Sequence, residues 1–385
     1  MKNLFDFDRL IPRRGTGSLK WDKFPELDPY WVADMDFTSP PAVIEAIQKR
    51  VEHGIFGYAV PHAGLIDSIQ NYMQNRHKLT VAEDDILHLG GLVPALSLAA
   101  RAFGKPGDAV MTCTPIYPPF IGIHNDAKMR IISVPHCKRD NRWTFDWEAM
   151  EATVTDDTKI FLLSNPQNPL GRVFTSEEML KLAEFCERHD LILISDEIHC
   201  DLILDENKTP HICATSLPEN FHHRIITLLA PSKTYNIAGL GYAFAIIKDH
   251  SLRRKFSAAR GHTLPEINCI AYYAAEAAFN EGEPWRQELI QYLAKNRDTL
   301  TDFVRNQLTG CTIPDIEATY LALIDCRNLS GKDPDTNPAT FFEEKAGLYL
   351  SDSQFFGTPG HVRFNFGCPH SRLLEGLEKM ANVIA

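Results

Sequence analysis

Compact apolar runs rich in β-branched residues recur through the middle of the chain, at 109–112, 131–134, 160–163, 191–195, 225–229 and 243–247. They are continuous rather than alternating, the pattern of strands covered on both faces. Between them lie stretches with helical spacing. The clearest is 176–189, where Thr175 or Ser176 supplies an N-cap and Glu177 and Glu178 suit the positive end of the helix. This alternation predicts an α/β domain with a largely parallel sheet. Beyond residue 285 the pattern changes. A helical region at 285–308, a strand at 320–325, a polar stretch at 328–338, a strand at 361–366 and a helix at 371–384 predict a smaller α+β domain. Residues 12–41 are too irregular for a core element and are expected to pack on that domain or cross the active site.

A chain of 385 residues exceeds the usual size of one hydrophobic core. The expected division is an N-terminal segment at 1–45, a large domain at 46–284 and a small domain at 285–385. A net charge of −11 with no basic block argues against a nucleic-acid surface. The nine cysteines are scattered without CxxC pairs, so neither a metal site nor a disulfide framework is expected, and a reducing cytoplasm is the simpler context. The first ten residues lack the apolar core of a secretory signal, and no run approaches the roughly 18 apolar residues of a membrane span. The expectation is a soluble, cytoplasmic protein.

Open α/β sheets bind ligands just beyond their strand ends. Ser164-Asn165-Pro166, Asp196-Glu197 and Ser232-Lys233 each follow an apolar run within a few residues. A lone lysine is usually a solvated surface charge. Lys233, at the mouth of a buried strand, is instead poised for a lowered pKa, and a neutral amine is what Schiff-base chemistry needs. Asp196 reads as a helix cap, a metal ligand or the partner of a cofactor's ring nitrogen, while alternation points Glu197 elsewhere. The turn at 165–172 would hold Asn168 rigidly. Gly90 and Gly91 precede Leu92, Val93 and Pro94 at a helix N-terminus, where free N–H groups can face an anion. Tyr117 stacks on a ring or simply packs. Arg363, between apolar strand residues, holds a substrate carboxylate or pairs with an acidic side chain.

Together these segments resemble fold-type I pyridoxal 5'-phosphate (PLP) enzymes of the aminotransferase superfamily, and more closely the MalY/PatB-type cystathionine β-lyases. The resemblance runs nearly end to end. It rests on Trp31-Val32-Ala33-Asp34-Met35-Asp36-Phe37, Gly57-Tyr58, Asn165 to Arg172, Ser195-Asp196-Glu197-Ile198-His199, Pro231-Ser232-Lys233-Thr234 with Asn236, and the Arg363 strand. It implies a large PLP-binding domain with a mostly parallel, seven-stranded sheet. Lys233 would hold PLP as a Schiff base and then shuttle protons, Asp196 would pair with the ring nitrogen, and Tyr117 would stack on the ring. Asn168 would bond the phenolic oxygen, with His199 where an aminotransferase usually has Tyr. Gly91, Leu92 and Ser232 would contact the phosphate, and Arg363, with Asn168 and Ala33, would hold the substrate. Gly241 stands where an Arg commonly binds the phosphate, so that group's cationic partner stays open. The residue matching Tyr58 reaches into a neighbouring subunit, which implies a homodimer.

The implied activity is β-elimination from an S-substituted cysteine, giving pyruvate, ammonia and a thiol. The alternatives are an amino-acid aminotransferase and a partner-binding regulator that keeps the fold. In the regulator reading a DNA-binding domain would come first, and Trp31 is reached before one fits.

Overall fold

The computed structural model describes residues 4–261, 264, 266–331 and 336–384. Part of the expected polar stretch, 332–335, lies outside them. A seven-stranded sheet is formed by β1 (Ile86–Leu89), β2 (Ala109–Thr114), β3 (Arg130–Pro135), β4 (Thr158–Ser164), β5 (Ile192–Asp196), β6 (Ile225–Leu229) and β7 (Ala243–Ile246). Their order is β1-β7-β6-β5-β4-β2-β3. Only β7 runs against its neighbours, and the remaining pairs are parallel. The six apolar runs are therefore all strands. β1 escapes the pattern because it is a short edge strand, half-buried and interrupted by His88. β3, at the other edge, is partly exposed, so burial on both faces holds only for the inner strands.

Helices cover both faces. Ser176–Arg188 is closed by a reciprocal capping box, which settles Thr175 as the cap: its hydroxyl accepts from Glu178 N at 3.2 Å, and the Glu178 carboxylate accepts from Thr175 N at 2.8 Å. The C-terminal part contributes an antiparallel sheet of β8 (Leu321–Asp325), β9 (Ser351–Asp352) and β10 (His361–Asn365), in the order β8-β10-β9. Helices Glu283–Gln307, Pro338–Ala346 and His370–Ala381 accompany it.

The N-terminal segment is tied to this smaller sheet region. Asp28–Pro29 pairs in parallel with Leu348–Tyr349, and Phe7 packs edge-on against Trp285. Helix Pro41–His53 runs through position 45 and helix Glu283–Gln307 through position 284, so neither expected boundary falls in a linker. One buried cluster joins Tyr30 and Met35 to Leu202, Tyr235, Trp285 and Phe364, so apolar packing is continuous across those positions. Among the described residues no helix is long and apolar enough to cross a membrane.

Candidate active site

Because β1, β2, β4, β5 and β6 point the same way, their C-terminal ends share one edge of the sheet. The loops leaving that edge enclose a cavity of about 220 Å³. Ala33, Gly91, Leu92, Tyr117, Asn168, Asp196, His199, Ser232 and Lys233 all line it. The fold thus brings together nine residues singled out on six separate stretches of sequence. Gly91 has φ 145°, a region reserved for glycine, and starts helix Leu92–Phe103. Gly241 has φ 65°, and a Cβ there would meet the Gly90 carbonyl oxygen at 3.3 Å. A larger residue at 241 would be strained in this conformation. Lys233 is the only lysine or arginine among the described residues lining the cavity. An anionic group at this end would meet the helix N-terminus and the Ser232 hydroxyl instead.

Burial lowers the Lys233 amine to about 8, with Arg363 adding to the effect and Asp34 and Asp196 opposing it. Lys233 Nζ donates to the Ala33 carbonyl at 2.7 Å. Asp196 lines the cavity and accepts from Ile198 N at 3.1 Å, which closes a turn; no helix starts there for it to cap. Burial, with Glu197 adding to it, raises its carboxyl to about 7, outweighing the Ile198 N–H and the nearby Lys233 amine. Glu197 does turn away: it is wholly buried and accepts from Ser195 Oγ at 2.9 Å and Ala214 N at 2.7 Å, with His211 Nε2 at 2.7 Å. Burial, then Lys233 and Arg363, holds His199 down at about 3. Its Nδ1 has no partner among the described residues.

Arg363 reaches the same site from β10. Nη1 donates to Asn168 Oδ1 at 3.2 Å, and Nη2 donates to the Trp31 carbonyl at 2.6 Å and to Ser351 Oγ at 3.2 Å. The salt-bridge reading is corrected: among the described residues Arg363 contacts no carboxylate, and its Nε is buried without a partner. A buried guanidinium with an open donor is suited to a ligand carboxylate.

The segment that carries Ala33 and Trp31 is fastened by side chains to which no role was assigned from the sequence. Asn236 accepts from Met35 N at 3.0 Å and donates to the carbonyls of Met35 at 3.0 Å and Phe37 at 2.8 Å. Asn365 donates to the carbonyls of Val32 at 2.6 Å and Asp34 at 2.7 Å. Arg13 and buried Lys20 hold Asp36 at 2.6 and 2.8 Å.

Tyr58 is not brought to this cavity. It is fully exposed in a separate groove with Phe56, Gly57 and Ala59. Tyr242, Ala238 and Phe120 line the cavity without having been singled out, as does Ser164 from a strand-end segment that was, and Tyr320 touches the Ala33 carbonyl at 2.9 Å. Ser164 alone carried a signal, as the last residue of its strand. Elsewhere, His77, Cys200 and Asp201 place ligand atoms within 4.8 Å of one another. Tyr72 and Arg76 already occupy the Asp201 carboxylate, at 2.9 and 3.2 Å.

The residues fit PLP on three counts: an amine lowered toward neutrality, a buried carboxyl raised by its burial, and buried nitrogens of Arg363 and His199 without a partner among the described residues. The description "Aminotransferase class I and II" matches residues 32–380. The chain is 38% identical to cystathionine β-lyase PatB of Bacillus subtilis (strain 168), over 97% of this chain and 98% of that protein. Among solved structures, OvoB shares 38% identity with a TM-score of 0.95 over 99% of both chains. Cystalysin of Treponema denticola, which contains PLP, shares 32% identity with a TM-score of 0.92 over 99% of this chain and 98% of that one. The chain belongs to the PLP-dependent aminotransferase class I and II family, with PatB-type cystathionine β-lyases among its near relatives.

Proposed function

We propose that this protein is a carbon–sulfur lyase that cleaves an S-substituted cysteine by β-elimination, releasing pyruvate, ammonia and a thiol. The observation that carries the reading is Lys233, the single lysine among the described residues lining the cavity, with its amine lowered to about 8. The lyase rather than transaminase direction is supported by the 38% identity to a cystathionine β-lyase.

PLP, held by Lys233, would supply an electron sink through its protonated ring nitrogen. Asp196 is the group that would keep that nitrogen charged, and ionisation of its carboxyl would follow. Arg363 and Asn168 would hold the substrate carboxylate, fixing which bond at Cα stands over the ring. Tyr117 would cover one ring face, and Gly91, Leu92 and Ser232 would take the phosphate. His199, held neutral, would sit toward the phenolic oxygen. Lys233, once released, would take the Cα proton. The Cβ–S bond then breaks with its electron pair on sulfur, and addition of one water to the remaining fragment balances pyruvate, ammonia and thiol.

The reading includes a homodimer in which Tyr58 completes the neighbouring site. Its support is the exposed run Ile55, Phe56, Tyr58 and Val60, an apolar surface of the kind that associates. It includes the cytoplasm, since none of the nine cysteines is in a disulfide.

The test is incubation of purified, PLP-loaded protein with cystathionine and with other S-substituted cysteines. Pyruvate and thiol in equal amounts, without added keto acid, are expected. A strict requirement for keto acid with no thiol release would replace the lyase by a transaminase.

A further inference from the structure

Three distant parts of the chain meet at one carbonyl oxygen. Ala33 O, on the N-terminal segment, accepts from Lys233 Nζ at 2.7 Å and from the Tyr320 hydroxyl at 2.9 Å. Tyr320 stands just before β8, is 1% exposed, and has little freedom. Its carbonyl accepts from Phe366 N at 2.9 Å. A Cβ at Gly367 would lie 3.1 Å from its Cγ, and its ring meets His199 edge-on at 6.1 Å between centroids. The preceding residue, Thr319, has φ 71°, a left-handed conformation that is strained for a β-branched side chain. Backbone strain is retained immediately beside the one hydroxyl that touches the lysine's acceptor.

A neutral amine has two N–H bonds and one lone pair. Donating one N–H to a fixed oxygen restricts rotation about the last side-chain bond and so limits where the lone pair points. The acceptor must be fixed for this to work. We propose, on the basis of the lyase reading above, that Tyr320 is a positioning residue: by holding the Ala33 carbonyl, it fixes the acceptor that orients the released Lys233 amine toward the substrate's Cα proton. Tyr320 touches neither the amine nor, in this arrangement, the reacting atoms. Its influence also has a definite sign. Two donors share one oxygen, so removing the hydroxyl leaves Ala33 O a better acceptor for the ammonium form of Lys233. The other charged or titratable groups facing this amine are Asp34 on the same segment, Asp196 and His199 after β5, and Arg363 on β10.

The experiment compares wild type with Tyr320→Phe by two readouts. The first is the pH dependence of the rate at which cofactor-free protein captures PLP, followed by visible absorbance. This reads the Lys233 amine without any turnover, so it remains informative even where the lyase reading fails. Its midpoint is expected to move to higher pH, with thermal midpoint unchanged and equilibrium PLP affinity unchanged when measured above both midpoints. The second is turnover of Cα-deuterated S-substituted cysteine. A loss in kcat of about fivefold to tenfold is expected, with a larger isotope effect as proton removal becomes slower. An unchanged capture midpoint and isotope effect would overturn the proposal, whatever happens to stability. Replacing Tyr320 by 3-fluorotyrosine, a stronger donor of the same size, should move the midpoint to lower pH. That variant decides the matter if Tyr320→Phe does not fold.

Discussion

The Arg363 guanidinium on β10 donates to Oδ1 of Asn168, in the turn after β4, at 3.2 Å. Two sheets from different parts of the chain are thereby joined at the point where a substrate carboxylate would bind. Nη2 is spent on Trp31 O and Ser351 Oγ, so the pair holds itself in position while Nε stays open. Arg363→Ala removes a charged donor and is expected to cost about 3 kcal/mol of transition-state binding, roughly 150-fold in kcat/KM. Arg363→Lys should recover little, since an ammonium lacks the planar fork. Both variants should keep PLP, as read by visible absorbance; loss of the cofactor with the arginine would contradict this role.

Lys233→Ala should abolish turnover, by about 10⁴-fold or more, and remove the lysine-bound cofactor absorbance, while circular dichroism stays that of wild type. Undiminished catalysis would refute the assignment.

The lowered amine makes a further prediction in the wild type. Capture of PLP requires neutral Lys233. The neutral fraction rises with pH until the amine's pKa, so the capture rate should climb about tenfold per pH unit and level off above about 8. An ordinary lysine, at 10.5, would keep climbing beyond pH 9. Such continued climbing is the result that contradicts burial as the dominant influence on Lys233.

Asp196→Asn keeps the shape of the side chain but not its charge. Loss of a preorganised charge partner is expected to slow the reaction about 100- to 1,000-fold. A PLP analogue methylated at the ring nitrogen carries its positive charge without a proton, and should restore part of that loss. Failure of the analogue to help would mean that Asp196 acts through the turn it closes at Ile198 rather than through the ring.

The exposed Tyr58 permits a test by mixing. Lys233→Ala protein and Tyr58→Ala protein, each inactive or weak alone, should form hybrids with one intact site after exchange of subunits. Recovery of activity on mixing is expected, together with a dimer mass in light scattering. A monomer that is fully active alone would end the homodimer reading.

The sequence by itself determined the elements and the loops that carry the chemistry. Strand and helix periodicity is local, and so is the rule that ligands lie beyond parallel strand ends. Lys233, Asp196 and Asn168 could therefore be picked out from their positions after apolar runs. Glu197 could be set aside by alternation, and the structure turns it toward His211. What the local pattern left open was every pairing made across the chain. Arg363 had two readings until the fold put Asn168, Trp31 and Ser351 around it instead of a carboxylate. Tyr58 was marked by resemblance, and only the fold shows it exposed, away from its own chain's cavity. Tyr320 carried no signal, because its meaning lies in a shared oxygen 287 residues away that also receives Lys233 across 200 residues. Such contacts depend on how two sheets and an irregular segment dock, a relation that no periodicity encodes. Lys233 was legible because its strand announces it. The partner that orients it was decided by tertiary packing alone.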